Sequence, residues 1–343
     1  MNNTKQKSAD SKSVPNIFNY ATSELSQDAF ILWLLDWANP QYAEYDKALC
    51  DTAQDFVRLL LNGQDLQITT VKCKKQENHI DVFAIVNERY ALIVEDKTNT
   101  TEHGNQIKRY SEWVKRQNKY SNLELHSVYY KSGNESIHKL NNLRAKYTDE
   151  LQDASFRIIG KENVLDILQK TRSHNAILLD YIDKLRTLHE RTNAFKITPY
   201  TDWKWEAWQG FYLSLEEQLG EGDWGYVANP SGGFLGYWWH WCPIAIDPSI
   251  ELYLQFEQDK LCIKAYSKAE TQPILSWTNQ IVDFARANNL PVRFPDKRRK
   301  GKTMTLAVVD LNQLFDIPLN LNATIQKLTD IASFVSQVSQ KIK

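Results

Sequence analysis

Residues 80–97, IDVFAIVNERYALIVEDK, decide the fold of this chain. Two apolar runs of strand length, residues 80–86 and residues 90–97, flank the polar triplet Asn-Glu-Arg at 87–89. Runs of this length and composition, joined by a short polar segment, are typical of an antiparallel β-hairpin. The sequence therefore predicts a hairpin here, and the other elements are interpreted around it.

The predicted hairpin brings two acidic side chains together. If it turns through residues 87–89, Val86 pairs with Tyr90, and the residue opposite Asp81 is Glu95. Directly opposed residues have Cβ atoms about 4.5 to 5.5 Å apart, a distance at which like charges are destabilising. A divalent cation between the carboxylates removes that cost, and Mg²⁺ suits the position because it prefers oxygen ligands and usually takes one or two carboxylates.

Lys97 adds a positive charge to this pair of acids. Because side chains alternate along a strand, Lys97 and Glu95 project to one face and Asp96 projects to the other. An ammonium group there can orient or help deprotonate a water, or stabilise charge that develops on a phosphate. The set indicates phosphodiester hydrolysis, although a solvated Glu–Lys pair on a strand would show the same spacing.

Elements on both sides of the hairpin predict an α/β domain. In chain order the pattern predicts helices from Ser23 to about residue 39 and over 45–61, a strand over 66–75, the hairpin, a helix over 103–118, strands over 125–130 and 156–159, and two helices within 161–190. The crossover through the helix after the hairpin makes the next strand parallel to the last hairpin strand.

The chain changes character near residue 195. Most of its tryptophans lie beyond that point, among helical and strand patterns that predict a second, tryptophan-rich α+β domain. We therefore divide the chain into a polar N-terminal tail (1–15), a first domain (16–194) and a C-terminal α+β domain for substrate or partner recognition (195–343). Within the latter, residues 232–241 (GGFLGYWWHW) either form the core of their own sheet or offer stacking surfaces for unpaired bases or a partner.

The charge balance limits how a polyanion can bind. The chain has 41 Lys and Arg against 42 Asp and Glu, which excludes a basic field over the whole protein. Residues 293–302 (RFPDKRRKGK) are a local basic stretch that fits phosphate contact or a solvated turn, and three lysines precede the hairpin. The candidate nucleic-acid-binding residues are Lys72, Lys74, Lys75, Arg293, Lys297, Arg298, Arg299, Lys300 and Lys302.

The remaining composition narrows the class of protein. The cysteines Cys50, Cys73, Cys242 and Cys262 lie far apart, without the spacing of a zinc site or a disulfide scaffold. The polar N-terminus lacks the apolar segment of a signal peptide, so we expect a soluble, cytoplasmic protein without a membrane partner. Neither a phosphate-binding P-loop nor an H-E-x-x-H motif is present.

The motifs resemble those of a known group of enzymes. Ile80-Asp81 followed by Val94-Glu95-Asp96-Lys97 resembles the motif of the PD-(D/E)XK nuclease superfamily, with Ile80 in place of the usual Pro. The segment at 102–110, EHGNQIKRY, matches the Q-x-x-x-Y motif of the RecB-like branch, and the stretch from about 22 to 130 is similar to an uncharacterised bacterial family of this superfamily. The resemblance implies a restriction-endonuclease-like core, a mixed sheet flanked by helices.

The resemblance also implies roles for individual residues. Asp81 and Glu95 would bind the metal, the carbonyl of Asp96 would add a ligand, and Lys97 would serve the attacking water. Three auxiliary residues are implied as well: Gln106, Tyr110 and Glu24. Tyr110 could instead serve only in core packing. Glu24 could instead serve only to cap the first helix and to interact with its dipole.

The resulting functional expectation is a deoxyribonuclease that depends on Mg²⁺ or Mn²⁺. By analogy the resemblance implies bacterial antiviral defence or DNA repair. The expected partner is nucleic acid, most of all DNA, with a homodimer or a protein partner formed through the C-terminal domain. The competing hypothesis is a catalytically silent nuclease-fold module that binds DNA or a protein.

Overall fold

The computed structural model describes residues 15–63, 65–74, 77–229, 232–267, 276–297 and 301–342. Its contacts divide the chain into two compact units. The first unit contains the described residues up to Ser132 together with Ser155–Thr187, and the second contains Gly133–Ala154 together with the described residues from Leu188 onward. The boundary at 195 stays a prediction, and the division by contacts additionally assigns an internal segment to the second unit.

The first unit is a mixed five-strand sheet flanked by helices, the fold class expected from the sequence. Its strands, in the spatial order of the sheet, are β1 (Val71–Lys74), β2 (Val82–Val86), β3 (Tyr90–Lys97), β4 (Glu124–Lys131) and β5 (Arg157–Gly160). The first three strands are antiparallel, and β4 and β5 run parallel to β3. The helices are α1 (Glu24–Trp37), α2 (Lys47–Leu61), α3 (Gln106–Arg116), α5 (Lys161–Leu168) and the part of α6 (Ala176–Asn193) up to Thr187, while α4 (Ile137–Ala145) belongs to the second unit.

The predicted hairpin register is confirmed. Val86 pairs with Tyr90, and the ladder continues to Val82 opposite Val94, the neighbours in sequence of Asp81 and Glu95. The turn is tight because two consecutive residues, Asn87 and Glu88, adopt left-handed backbone angles (φ 52° and 54°). The paired residues therefore end directly beside Asp81 and Glu95, and the direct opposition of these two acids stays a prediction.

Strand β3 is buried on both faces. Leu92 and Val94 lie in the core beneath α1 and α2, whereas Ala91 and Ile93 lie in a smaller core with Tyr110 of α3. Cover on both faces is typical of strands in sheets with parallel pairing. The charged residues at the end of this strand are consequently held in an environment of low solvent access.

Two predicted element starts are wrong, for local reasons. Strand β1 begins at Val71 rather than residue 66, because the Asn87 side chain hydrogen-bonds the backbone of Thr69 and Gln67 in place of ladder pairing. Helix α3 begins at 106 rather than 103, because Gly104 and Asn105 have positive φ and interrupt the helical backbone before it.

The second unit is built on an antiparallel sheet. Its strands are β6 (Asp223–Val227), β7 (Phe234–Ile244), β8 (Asp247–Phe256), β9 (Lys260–Ser267) and β10 (Thr303–Asp310), in the spatial order β10-β9-β8-β7-β6. Its helices, besides α4, are α7 (Trp205–Leu219), α8 (Ser276–Ala287), α9 (Leu311–Leu314) and α10 (Leu321–Lys341). Of the helices in the described residues, none combines the length and the apolar composition that spanning a membrane requires.

The aromatic segment at 232–241 contributes to both faces of this sheet. Tyr237 and Trp239 are buried in the core, so the core interpretation is correct for them. A β-bulge between Trp239 and Cys242 follows; it contains His240, at φ 57°, and Trp241, which is 44% exposed. The bulge therefore separates core aromatics from one on the surface.

Candidate active site

The side chain of Lys97 lies among three carboxylates. Its Nζ is 2.5 Å from Glu95 Oε1, 3.8 Å from Asp81 Oδ2 and 4.0 Å from Glu24 Oε2. The lysine side chain is 6% exposed. The structure thus brings together four residues that the sequence and the resemblance had singled out.

Local structure explains why Glu24 reaches this cluster. Ser23 caps α1 and makes Glu24 the first helical residue. The backbone N–H of Thr98 (3.0 Å) and the hydroxyl of Thr100 (2.7 Å) both donate to Glu24 Oε1, just beyond the end of β3. The carboxylate is therefore bound to the strand end and is oriented toward Lys97, which capping alone would not require.

Burial and mutual repulsion set the charges of the two hairpin acids. Burial raises the pKa of Glu95 to about 8, the Asp81 carboxylate adds to the rise, and Lys97 opposes it. Burial likewise raises the pKa of Asp81 against the opposing charge of Lys97. Without a cation, the site thus favours protons on carboxyl groups that are ordinarily ionised at neutral pH.

The two other charged groups keep their charges. Burial works against the ammonium of Lys97, but the hydrogen bond and charge of Glu95 with the charges of Asp81 and Glu24 outweigh it, so the pKa is raised. Burial also works against the Glu24 carboxylate, but the bonds from Thr100 and Thr98 prevail and its pKa is lowered. A fixed ion pair therefore borders the two protonatable acids.

The donor set fits a divalent metal that keeps much of its water. Among the described residues, no group of three or more His, Cys, Asp or Glu side chains has the geometry of a metal centre. Mg²⁺ does not need such a cage, because one or two carboxylates with several waters suffice. Within the described part of the chain, Glu95 Oε2 is buried without a hydrogen-bond partner, so this oxygen could serve a cation. Asp81 and Glu95 are the residues that would hold the ion.

A cleft of about 670 Å³ leads to Asp81. It is lined by Leu25, Ser26, Asp28, Ala29, Leu32, His79, Ile80 and Asp81. Asp28 is an acid that the sequence analysis missed, and burial together with the Asp81 charge raises its pKa to about 7. Its position four residues after Glu24, on the same face of α1, is the signal that would have found it.

Asp96 lies on the opposite side of β3, as the strand alternation predicted. Its Oδ1 accepts a 2.6 Å hydrogen bond from Gln27 Nε2, which also donates to Ser132 Oγ at 2.9 Å, and Lys184 Nζ donates to Gln27 Oε1 at 3.0 Å. The Asp96 carbonyl, the group suggested as a metal ligand, accepts a 3.2 Å hydrogen bond from Lys97 Nζ. The side chain of Asp96 thus anchors the strand end to α1. The assignment of the Asp96 carbonyl as a metal ligand stays a prediction.

Gln106 and Tyr110 occupy the first turns of α3. Tyr110 packs in the smaller core of the first unit, and burial raises the pKa of its hydroxyl, with the charges of Glu95 and Asp81 contributing. Packing and proximity to the acids therefore both apply to this tyrosine. Gln106 Oε1 is buried and finds no hydrogen-bond partner among the described residues, so its amide keeps an unused acceptor on the same helix as Tyr110.

Lys131 is a second buried cation that the sequence analysis did not select. It lies opposite Lys97 in the β3–β4 register, and its ammonium donates to the carbonyl of Thr100. Its charge also helps to lower the pKa of Glu24. The parallel register, which a single strand does not reveal, is what places it near the site.

The predicted basic residues have differing environments. Lys72 forms an exposed ion pair with Glu88 at 2.6 Å, and Lys74 lies half-buried on β1. Arg293 is committed within its own unit, since two of its nitrogens contact Asp310 at 2.8 and 2.7 Å. Lys297 and Lys302 are exposed, whereas Lys75, Arg298, Arg299 and Lys300 lie outside the described residues.

Comparison with known proteins identifies the family of the chain. The family model of the PD-(D/E)XK nuclease superfamily matches residues 15–187, half of the chain, including the hairpin and α3. No curated protein and no solved structure matches significantly. The match covers every residue of the cluster around Lys97. The chain therefore belongs to the PD-(D/E)XK nuclease superfamily.

Proposed function

We propose that the first unit hydrolyses phosphodiester bonds of DNA with Mg²⁺ or Mn²⁺ bound at Asp81 and Glu95. The observation that carries the proposal is the buried Lys97 ammonium among three carboxylates, beside Glu95 Oε2, which has no hydrogen-bond partner among the residues that the structure describes. Membership of the superfamily supports nuclease chemistry. The choice of DNA and of these ions rests on the resemblance and on the oxygen donor set.

Each residue contributes a separate part of the chemistry. A divalent ion held by Asp81 and Glu95 would supply positive charge for the phosphate and would lower the pKa of a water. Lys97, held by Glu95 at 2.5 Å and by the Asp96 carbonyl at 3.2 Å, orients the attacking water and stabilises charge on the phosphate. Glu24, fixed by Thr98 and Thr100, keeps the ammonium charged and in place.

The wider setting is also part of the proposal. The superfamily resemblance supports work on foreign or damaged DNA in the cytoplasm, as in antiviral defence or repair. The second unit would then select the substrate, or bind a second copy of the chain or another protein. What supports this part of the proposal is that the sheet and core of the second unit contain no residue of the cluster around Lys97.

A cleavage panel tests the proposal. Supercoiled plasmid, linear duplex, single-stranded DNA and RNA are incubated with the full chain in Mg²⁺, Mn²⁺ or EDTA. We expect DNA cleavage with either ion and none in EDTA. Asp81→Ala and Lys97→Ala should abolish cleavage, while Asp51→Ala, a matched control in an exposed ion pair with Lys47, should leave it unchanged.

The outcomes separate the hypotheses. Unchanged cleavage by folded Asp81→Ala or Lys97→Ala protein would refute the site assignment. Cleavage of RNA alone would refute the choice of DNA. Full-strength DNA binding without cutting under any metal condition would favour the catalytically silent module instead.

A further inference from the structure

A rigid aromatic surface lies on the second unit, on the face of its sheet away from the main core. The Trp241 ring stacks on Tyr253 with centroids 4.0 Å apart and planes 9° apart. Tyr253 is buried, but Trp241 is 44% exposed. One face of the indole is therefore held by a neighbour, and the side chain still offers much of its surface to solvent. Such an indole is ordered before any ligand arrives.

A third ring and a cation continue this surface. Tyr266 of β9 meets Trp241 edge-on, with centroids 6.1 Å apart and planes at 88°. Lys302 Nζ lies 5.3 Å from the centroid of the Tyr266 ring, and the lysine is exposed. We call Tyr253, Trp241, Tyr266 and Lys302 the aromatic row. It combines planar apolar faces with a positive charge at one end.

The exposed Lys302 ammonium beside the Tyr266 ring favours an anionic ligand. In the sequence, Lys302 ends residues 293–302, which contain six basic residues and one acid, although residues 298–300 lie outside the described residues. One of these bases, Arg293, is neutralised by Asp310, and Lys297 is exposed. Glu251, opposite Tyr266 in the β8–β9 register, is half-buried and has its own interaction partner. The aromatic row therefore carries the Lys302 cation at one end.

We propose that the aromatic row binds single-stranded nucleic acid, with a base stacked on Trp241 and a phosphate on Lys302. Aromatic side chains stack on any unpaired base, and nearby cations bind the backbone. In a duplex the base faces are already covered by their neighbours, so the row selects unpaired strands. This binding site goes beyond the proposed function, because it lies in the second unit and needs no metal.

The test measures binding in the absence of cleavage. Full-length Asp81→Ala protein in EDTA is titrated into a labelled oligothymidylate of about 15 nucleotides, followed by fluorescence anisotropy. Trp241→Ala and Trp241→Leu should each weaken binding about tenfold or more, because both remove the stacking face. Trp205→Ala is the matched control, since Trp205 is 41% exposed in the same unit, and it should change affinity by less than about twofold. Lys302→Gln should reduce the salt slope by about 0.7.

Folding and the rival ligands are checked in parallel. Near-ultraviolet circular dichroism verifies each variant, and if Trp241→Ala is unfolded, Trp241→Phe, which keeps a stacking face, is compared with Trp241→Leu. Equal affinity of the phenylalanine and leucine variants would overturn the proposal. So would a duplex oligonucleotide that binds as tightly as the single strand and responds equally to Trp241→Leu.

This result is separable from that of the proposed function. Binding that depends on Trp241, without any metal-dependent cleavage by the unsubstituted protein, would sustain the aromatic row and contradict the nuclease. Cleavage of DNA with binding that ignores Trp241 would contradict the row and sustain the nuclease.

Discussion

Replacing Glu95 by glutamine should stabilise the metal-free protein, although it removes a proposed metal ligand. In the folded chain, burial and Asp81 raise the pKa of Glu95 to about 8, from an ordinary value of 4.5. The folded state therefore binds one proton more than the unfolded state between these values. Stability from this group is accordingly lost as the pH rises through the window from about 4.5 to about 8. Glutamine does not ionise, so the variant should not lose this stability as the pH rises.

The magnitude follows from the size of that window. At about 1.4 kcal/mol per pKa unit, ionisation of Glu95 costs about 1 kcal/mol at about pH 5 and about 4 kcal/mol at about pH 8. The variant should therefore unfold at a higher temperature than the wild type, by a margin that grows with pH. Mg²⁺ or Mn²⁺ should stabilise the wild type at the higher pH and leave the variant unchanged, because a bound cation replaces the proton.

The assay is thermal unfolding across this pH range in EDTA, repeated with each metal ion. Glu112→Gln serves as the control, because Glu112 lies in exposed ion pairs on α3. A difference between Glu95→Gln and wild type that is constant with pH would refute the reasoning. A variant that is less stable than wild type at the upper end of the range would refute it as well.

Three further substitutions test other parts of the site and the second unit. Lys97→Met should lower cleavage by about 10²-fold or more while leaving the chain folded and Mn²⁺ bound, and cleavage within about fivefold of wild type would contradict the assigned role. Gln27→Leu should destabilise the first unit by about 2 kcal/mol or more, because Asp96 Oδ1, Ser132 Oγ and Lys184 Nζ each lose the amide as partner. Unaltered thermal unfolding would argue against that anchor. Arg293→Gln should cost about 1 kcal/mol of stability by removing the paired contact to Asp310, with unchanged affinity for single-stranded DNA, and a tenfold loss of affinity would instead return Arg293 to phosphate binding.

The hairpin was predictable because its geometry is encoded locally. Two apolar runs around a short polar turn define the pairing of Val86 with Tyr90, and strand alternation then places Glu95 and Lys97 on one face. Glu24 was identified through the superfamily resemblance. The hydrogen bonds from Thr98 and Thr100, which connect Glu24 to the strand end, depend on packing between distant segments.

The residues that the sequence analysis missed reach their positions only through tertiary structure. Lys131 approaches the site through the parallel register of two strands, and Gln27 through the docking of α1 on the end of β3. Sequence periodicity indicates which face of an element is buried but not which partner covers it. The segment containing α4 is a similar case: it joins the second unit through hydrogen bonds from Ser136 and Ile137 to Glu216 of α7, far away in sequence.

Locating Mn²⁺ in a crystal of the full chain would test the central claim most directly, by the anomalous scattering of the ion. The account predicts a single strong peak coordinated by carboxylate oxygens of Asp81 and Glu95, with Lys97 beside it, and no such peak in Asp81→Ala crystals. An ion bound elsewhere, with Glu95 still paired only to Lys97, would contradict the account.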